Sequence, residues 1–131
     1  LSKIDKLINL RRKKAKYLSS RLEKFKHVKL HKEPNSTIHT YQLYSIRLSS
    51  TSERNKMIQF LAKKGIMSKV FFYPIHLSKF YNKDLNTYDS SLKKTELVSS
   101  TILSLPMFPG LKLEEMKYII DSVAEFFETY Q

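Results

Sequence analysis

Cysteine is missing from this chain, glycine occurs only twice, and no apolar run approaches the roughly 18 residues that a membrane-spanning helix needs. Each shortage removes a class of function. Without a thiol there is no disulfide framework, no cysteine nucleophile and no thiolate metal site, a usage that fits the reducing cytoplasm. Gly65 and Gly110 stand far apart, whereas a phosphate-cradling loop needs several glycines close together, so neither a P-loop nor a dinucleotide fingerprint is present. A nucleotide, if bound, is held some other way. His27, His31, His39 and His76 share no helical ligand spacing and have no neighbouring acid pair, which speaks against a metal centre. No serine lies on a glycine-flanked strand-to-helix turn, so a hydrolase triad has no anchor. Leu1 to Lys6 lack the charged, apolar and small-residue succession of a secretory signal. The expectation is a soluble, cytoplasmic protein with no membrane partner.

What is present suffices for one core. A length of 131 residues with 41% hydrophobic content predicts a single domain over residues 1–131. The net charge of +12 is unevenly spread: residues 1–32 hold twelve Lys or Arg against Asp5 and Glu23, a balance of +10, and the rest of the chain holds +2. The basicity belongs to one segment. There Leu1, Ile4, Ile8, Ala15, Leu18, Leu22 and Phe25 fall at heptad spacing, interrupted by Arg11, which predicts a long amphipathic helix over residues 1 to about 26. Its other faces carry Lys3, Lys6, Arg12, Lys13, Lys14, Lys16, Arg21, Lys24 and Lys26. They form either a solvated face or a strip for phosphates, and Tyr17 is the only ring among them, too little for a stacking platform. A nucleic-acid or protein-interaction module built on this helix is therefore the alternative reading. A coiled coil is opposed by Arg11 at a seam position and by the lack of opposing charge pairs.

The remainder reads as short alternating elements. A brief strand over 28–30 and a turn at Glu33, Pro34, Asn35 and Ser36 precede a strand over about 38–48. On that strand Tyr44, Ile46 and Leu48 share one face and His39, Tyr41, Leu43, Ser45 and Arg47 the other, so cover on both sides is expected. Ser50 to Glu53 fit a capping box that opens a helix with Met57, Ile58, Phe60, Leu61 and Ala62 inside, and Gly65 suits its left-handed stop. Residues 82–91 are polar and expected to form a loop. A helix over about 91–103 should present Leu92, Thr95, Val98 and Ile102 on one side, before a short strand over 103–105. The last helix, about 113–130, repeats a stripe of Leu113, Met116, Ile120, Val123, Phe127 and Tyr130. The order predicts an α+β fold: a small, mostly antiparallel sheet of about three to four strands packed with helices, one long at the N-terminus and one at the C-terminus.

Residues 67–73 read as an aromatic strand stopped by Pro74, which lacks a backbone donor and holds Tyr73 extended. His76 then falls on a loop, where a titratable ring can face a ligand. Phe72 alternates away from Tyr73 and is expected in the core. A lone histidine without a nucleophile or an orienting partner does not make a catalyst.

Several blocks together resemble the C-terminal region of the DegT-type sugar aminotransferases. Leu1 to Asp5 with Asn9, Arg11 and Arg12 are similar to the start of that family's long helix. His39, Tyr41, Leu43, Tyr44, Ile46 and Arg47 resemble its histidine and tyrosine strand, and Gly65, Ile66, Val70 and Tyr73 to Leu77 resemble the strand and loop entering its substrate cleft. Ser104 to Leu111, followed by Glu114 and Glu115, make the closest match. The resemblance implies the small domain of a pyridoxal-phosphate enzyme that moves an amino group, usually from glutamate, to a keto sugar on a nucleotide carrier. It also implies that the catalytic lysine and the cofactor domain lie upstream of Leu1, so that these residues alone carry no catalytic or cofactor-binding group and are inactive. Intact, such an enzyme is expected to be a homodimer. Carried over by position, Tyr73 and His76 are the leading substrate contacts. His39 and Tyr41 rank second, because their face could simply pack on the first helix. Lys112 stands where the family commonly has a capping hydroxyl, and Phe71 and Phe72 replace a more polar pattern.

Overall fold

The alternation Tyr44, Ile46, Leu48 forms the centre of the fold. In the computed structural model, which describes residues 2–71, 73–78 and 92–130, β2 (Tyr44–Arg47) lies between β1 (Lys29–Leu30) and β3 (Ile102–Leu105), antiparallel to both. Ile46 faces Leu103 across the sheet, Tyr44 faces Leu105 and Arg47 faces Ile102. Directly opposed residues share a face. Tyr44, Ile46, Leu103 and Leu105 are buried, while Ser45, Arg47 and Ile102 on the other face are only half-buried.

Four α-helices are described: α1 (Ile4–Leu22), α2 (Thr51–Lys63), α3 (Lys93–Thr101) and α4 (Leu113–Tyr130). α1, α2 and α4 cover the apolar sheet face. Leu18 and Leu22 of α1, Met57 and Leu61 of α2 and Val123 of α4 have no exposed surface. Fully burying such side chains contributes about 1.5–3 kcal/mol each. The inner face of α4 is shorter and wider than its stripe predicted: Leu113 and Tyr130 at its ends are exposed, while Ile119, Ser122 and Phe126 join Met116, Ile120, Val123 and Phe127 in being buried. It touches both α1 and α2, so one row of apolar residues is not enough. The α+β architecture with a small antiparallel sheet is thus as expected, with three strands among the described residues.

Boundaries and faces differ in instructive ways. α1 stops at Leu22, where Phe25 and Val28 close successive turns onto Leu22 and Phe25. Its first turns extend past the core, leaving Ile4 and Leu7 exposed; Leu1 lies outside the described residues. The strand expected over 38–48 shrinks to Tyr44–Arg47. β1 offers only two partners, and Tyr41 adopts φ +49°, a left-handed conformation that no strand continues through. His39 and Tyr41 therefore sit on a loop and not on a strand face. Cover on both faces was expected; the second face is covered in part, with Ser104 buried, Ser45, Arg47 and Ile102 half-buried, and Val98 of α3 lining a cleft beside them.

The aromatic strand expected over 67–73 is reduced to one bridge, in which Lys69 and Ser104 exchange both backbone bonds, at 3.0 and 2.8 Å. In that register Met67 would oppose Pro106, which has no N–H to give. Met67, Phe71 and Tyr73 are exposed; Phe72 and the loop expected at 82–91 lie outside the described residues. α3 buries Thr101 and leaves Leu92 and Thr95 exposed and Val98 half-buried, so its inward side is not the predicted stripe.

Capping is local chemistry and held. Ser50 Oγ accepts from the Glu53 amide at 3.1 Å, and Glu53 reaches back to the Ser49 amide at 2.8 Å. Gly65 ends α2 at φ +73°. At Lys112, where no hydroxyl is present, Glu115 accepts from the backbone amide at 2.6 Å and serves the start of α4.

Leu22→Ala should destabilise the chain by about 2–5 kcal/mol, the cost of a core cavity. Ser50→Ala should cost about 1 kcal/mol, the value of a lost N-cap. Denaturant unfolding of the two variants checks the ranking, and equal losses would contradict this assignment of the core.

Candidate functional site

The turn after β1 returns the chain beside α1 and places a cluster of rings next to the open sheet face. Arg12, on the third turn of α1, donates through Nη1 to Glu33 Oε1 at 2.6 Å and to the His39 carbonyl at 2.9 Å. Glu33 Oε1 also accepts from the His39 amide at 2.6 Å. One carboxylate and one guanidinium thus hold both backbone groups of His39. The Tyr41 amide donates to His39 Nδ1 at 3.0 Å, so in the neutral ring the proton lies on Nε2. Rings of His31 and His39 lie 4.8 Å apart, and those of His39 and Tyr41 lie 4.4 Å apart. The left-handed backbone at Tyr41 costs about 1–2 kcal/mol for an L-residue, and these contacts hold it in place.

Charge is tuned across this cluster. The Arg12 hydrogen bond, helped by the His39 amide, holds the Glu33 carboxyl below its ordinary value, and Glu33 in turn raises Arg12. Burial, reinforced by His31, lowers His39. Tyr44, whose hydroxyl lies 2.9 Å from Ser19 Oγ, is pushed up to about 12 by burial and stays protonated.

His39 and Tyr41 line a cleft of about 680 Å3, together with Lys29, His31, Lys32 and Arg47 and with Val98 and Ile102 at its α3 end. A second cleft, of about 660 Å3, lies on the other side of Tyr41 and His31 and is lined by Arg12, Lys13, Lys16 and Glu33. The strand-face argument ranked His39 and Tyr41 second, yet both line the first cleft, and Tyr41 also lines the second. Glu33 was read only as part of a turn, and Arg12 only as one charge of a face that either meets solvent or meets phosphates. The only signal for the pair was a carboxylate beside the Pro34–Asn35 turn, too short a pattern to name its partner. Lys14 is also used internally, donating to the Leu111 carbonyl.

Tyr73 and His76 part company. Pro74 opens a 3-10 turn (Ile75–Leu77), with Leu77 and Ser78 donating back to Pro74 and Ile75. Tyr73 is 67% exposed, its hydroxyl 3.3 Å from the Leu77 carbonyl. The His76 side chain is only 10% exposed and places Nε2 3.2 Å from Glu96 Oε1 on α3. The loop position expected for His76 is correct, but its ring turns in toward a carboxylate, and neither residue lines the 680 Å3 cleft.

Comparison with known proteins bears on both places. The DegT/DnrJ/EryC1/StrS aminotransferase family matches residues 1–124, and the chain belongs to that family. It is 33% identical to a GDP-perosamine synthase of Vibrio cholerae over 134 residues, covering 97% of this chain and 34% of that protein. It is 32% identical over 100 residues to a pleiotropic regulatory protein of Geobacillus stearothermophilus, covering 76% and 26%. Among solved structures it superposes on DesV of S. venezuelae with TM-score 0.87 and 26% identity, over 98% of this chain and 34% of that one. The chain thus spans about a quarter to a third of the length of these relatives.

Pyridoxal phosphate needs a lysine for its Schiff base and an acidic or basic partner at its ring nitrogen. The larger cleft offers Lys29, Lys32 and Arg47, with no carboxylate among its described lining residues.

Acidification should lower the stability of the chain in two stages. His39 is lowered in the folded state, so its contribution is present above the ordinary value of 6.5 and is lost as pH falls through the lower folded value. Glu33 follows below 4.5 by the same sign. Denaturant midpoints against pH should show His39→Gln removing only the upper stage. An unchanged upper stage in that variant would contradict the assignment.

Proposed function

We propose that this chain is the substrate-facing, C-terminal part of a pyridoxal-phosphate-dependent aminotransferase that transfers an amino group, from glutamate, to a nucleotide-linked keto sugar. The observation that carries this reading is the family match across residues 1–124 in a chain only a quarter to a third as long as its relatives. The catalytic lysine and the cofactor cradle are assigned to the part of the relatives' length that this chain does not span. Alone, the chain does not transaminate. Intact, the enzyme is a cytoplasmic homodimer whose partners are the nucleotide sugar and the amino donor. When bound, the cofactor supplies an electron sink.

The residues of this chain bind and orient. Tyr73, exposed at the end of its segment, offers a phenol to the sugar, and His76, carried over by position, is the second contact for sugar or phosphate. Glu96 holds the His76 ring, which keeps its orientation fixed before substrate arrives. His39 and Tyr41 take the second place, from the opposite loop.

In the intact enzyme His76→Ala should raise the KM for the nucleotide sugar several-fold more than that for glutamate. Steady-state kinetics with each substrate varied in turn reads the difference, and equal changes would count against the role given to His76. The isolated 131-residue chain supplied with pyridoxal phosphate should show no amino transfer; turnover by it would overthrow the whole reading.

A further inference from the structure

The cleft beside the β1–β2 connection is lined by Lys29, Lys32 and Arg47 and by His31, His39 and Tyr41, with no Asp or Glu among its described lining residues. Basic surface is common in this chain, so charge by itself would decide nothing. What sets the cleft apart is the treatment of the nearest carboxylate. Glu33 lies between His31 and His39 in sequence, yet its Oε1 is committed to Arg12 and to the His39 amide, and it lines the neighbouring cleft instead. Its charge is neutralised where it stands. Lys29 and Lys32 form no ion pair among the described residues and remain exposed. Arg47 is anchored through Nε to Thr101 Oγ1 at 3.3 Å, so its guanidinium is held at the cleft and not free in solvent.

The rings are fixed with equal care. Both backbone groups of His39 are tied down, its Nδ1 is occupied by the Tyr41 amide, and Tyr41 is kept in a left-handed conformation that an L-residue adopts only at a cost. Strain of this kind gathers at sites that present side chains to ligands. A volume of about 680 Å3 suits a small organic ligand.

We infer that this cleft binds a phosphate-bearing ligand, with Lys29, Lys32 and Arg47 supplying positive charge and His39 a directed hydrogen-bond donor. Charge-assisted bonds to phosphate oxygens are stronger than neutral ones, and a cleft without acids does not repel the anion. The site stands on this geometry. Taking the phosphate to be the diphosphate of a nucleotide-linked sugar rests on the function proposed above.

The test is titration of the 131-residue chain with inorganic pyrophosphate and, separately, uridine diphosphate, followed by backbone amide shifts. Both should bind saturably, with shifts concentrated at residues 29–32 and 39–47. Lys29→Gln with Lys32→Gln, two exposed positions that leave the core untouched, should weaken both ligands by about tenfold, while Lys29→Arg with Lys32→Arg should retain them. Lys3→Gln with Lys6→Gln, exposed at the start of α1 and lining neither cleft, should change little. Tighter binding of uridine diphosphate would assign the site to a nucleotide, and equal affinities would assign it to the diphosphate alone; either supports the inference. An equal loss in the α1 variant would reduce the binding to general basicity and overturn it, as would the absence of saturation. Shifts confined to residues 73–78 would also overturn it while leaving the aminotransferase reading intact.

Discussion

A three-stranded sheet whose first strand is two residues long is not held by its backbone ladder, because so few hydrogen bonds do not offset the entropy of ordering the strands. What holds it is the apolar face. Tyr44, Ile46, Leu103 and Leu105 press against Leu18 and Leu22 of α1, Met57 and Leu61 of α2 and the buried side of α4, and together they make one continuous core. The Ser19–Tyr44 contact adds a polar tie between α1 and β2 inside that packing. Every feature of the candidate site is positioned by this arrangement, since α1 carries Arg12, β2 carries Arg47, and the loop between β1 and β2 has to travel between them.

Packing α1, α2 and α4 on the apolar side leaves part of the other side open as a cleft. Ser45, Arg47 and Ile102, with Val98 of α3, form the floor of a cleft, and the β1–β2 connection forms its wall. The wall is rigid because Arg12 and Glu33 satisfy the backbone groups of His39, which a loop would otherwise offer to water. The same bonds take the one nearby carboxylate out of competition. On the far side of β3 the chain makes a single bridge through Lys69 and then leaves the sheet, which carries Tyr73 outward and His76 toward Glu96. Two groups of candidate residues thus occupy two loops supported by one short sheet.

Some of this was legible beforehand, and the reason is distance along the chain. The capping box at Ser50 and Glu53, the stop at Gly65, and the extent of the last helix all depend on neighbours within about one turn, and each appears where the pattern placed it. The aromatic strand failed for a non-local reason: alternation in 67–73 says that a strand would be favourable, but pairing needs a partner, and β3 is four residues long and followed by Pro106. The strand over 38–48 failed likewise, since β1 has nothing to pair with residues before Tyr44. Phe72 and residues 82–91 fall outside the described part of the chain.

The sequence by itself determined the α+β class, the long helices near the two ends of the chain, the concentration of excess positive charge in the first segment and the membership suggested by the Ser104 to Leu111 block, because periodicity, capping and composition are written in consecutive residues. Only the tertiary structure decided that Arg12 meets Glu33 across 21 positions, that His39 and Tyr41 line a cleft instead of packing on a strand face, and that His76 turns to Glu96. Such pairs form because burial of the apolar face brings distant backbone together, and no local pattern specifies which charge then lies within reach of which.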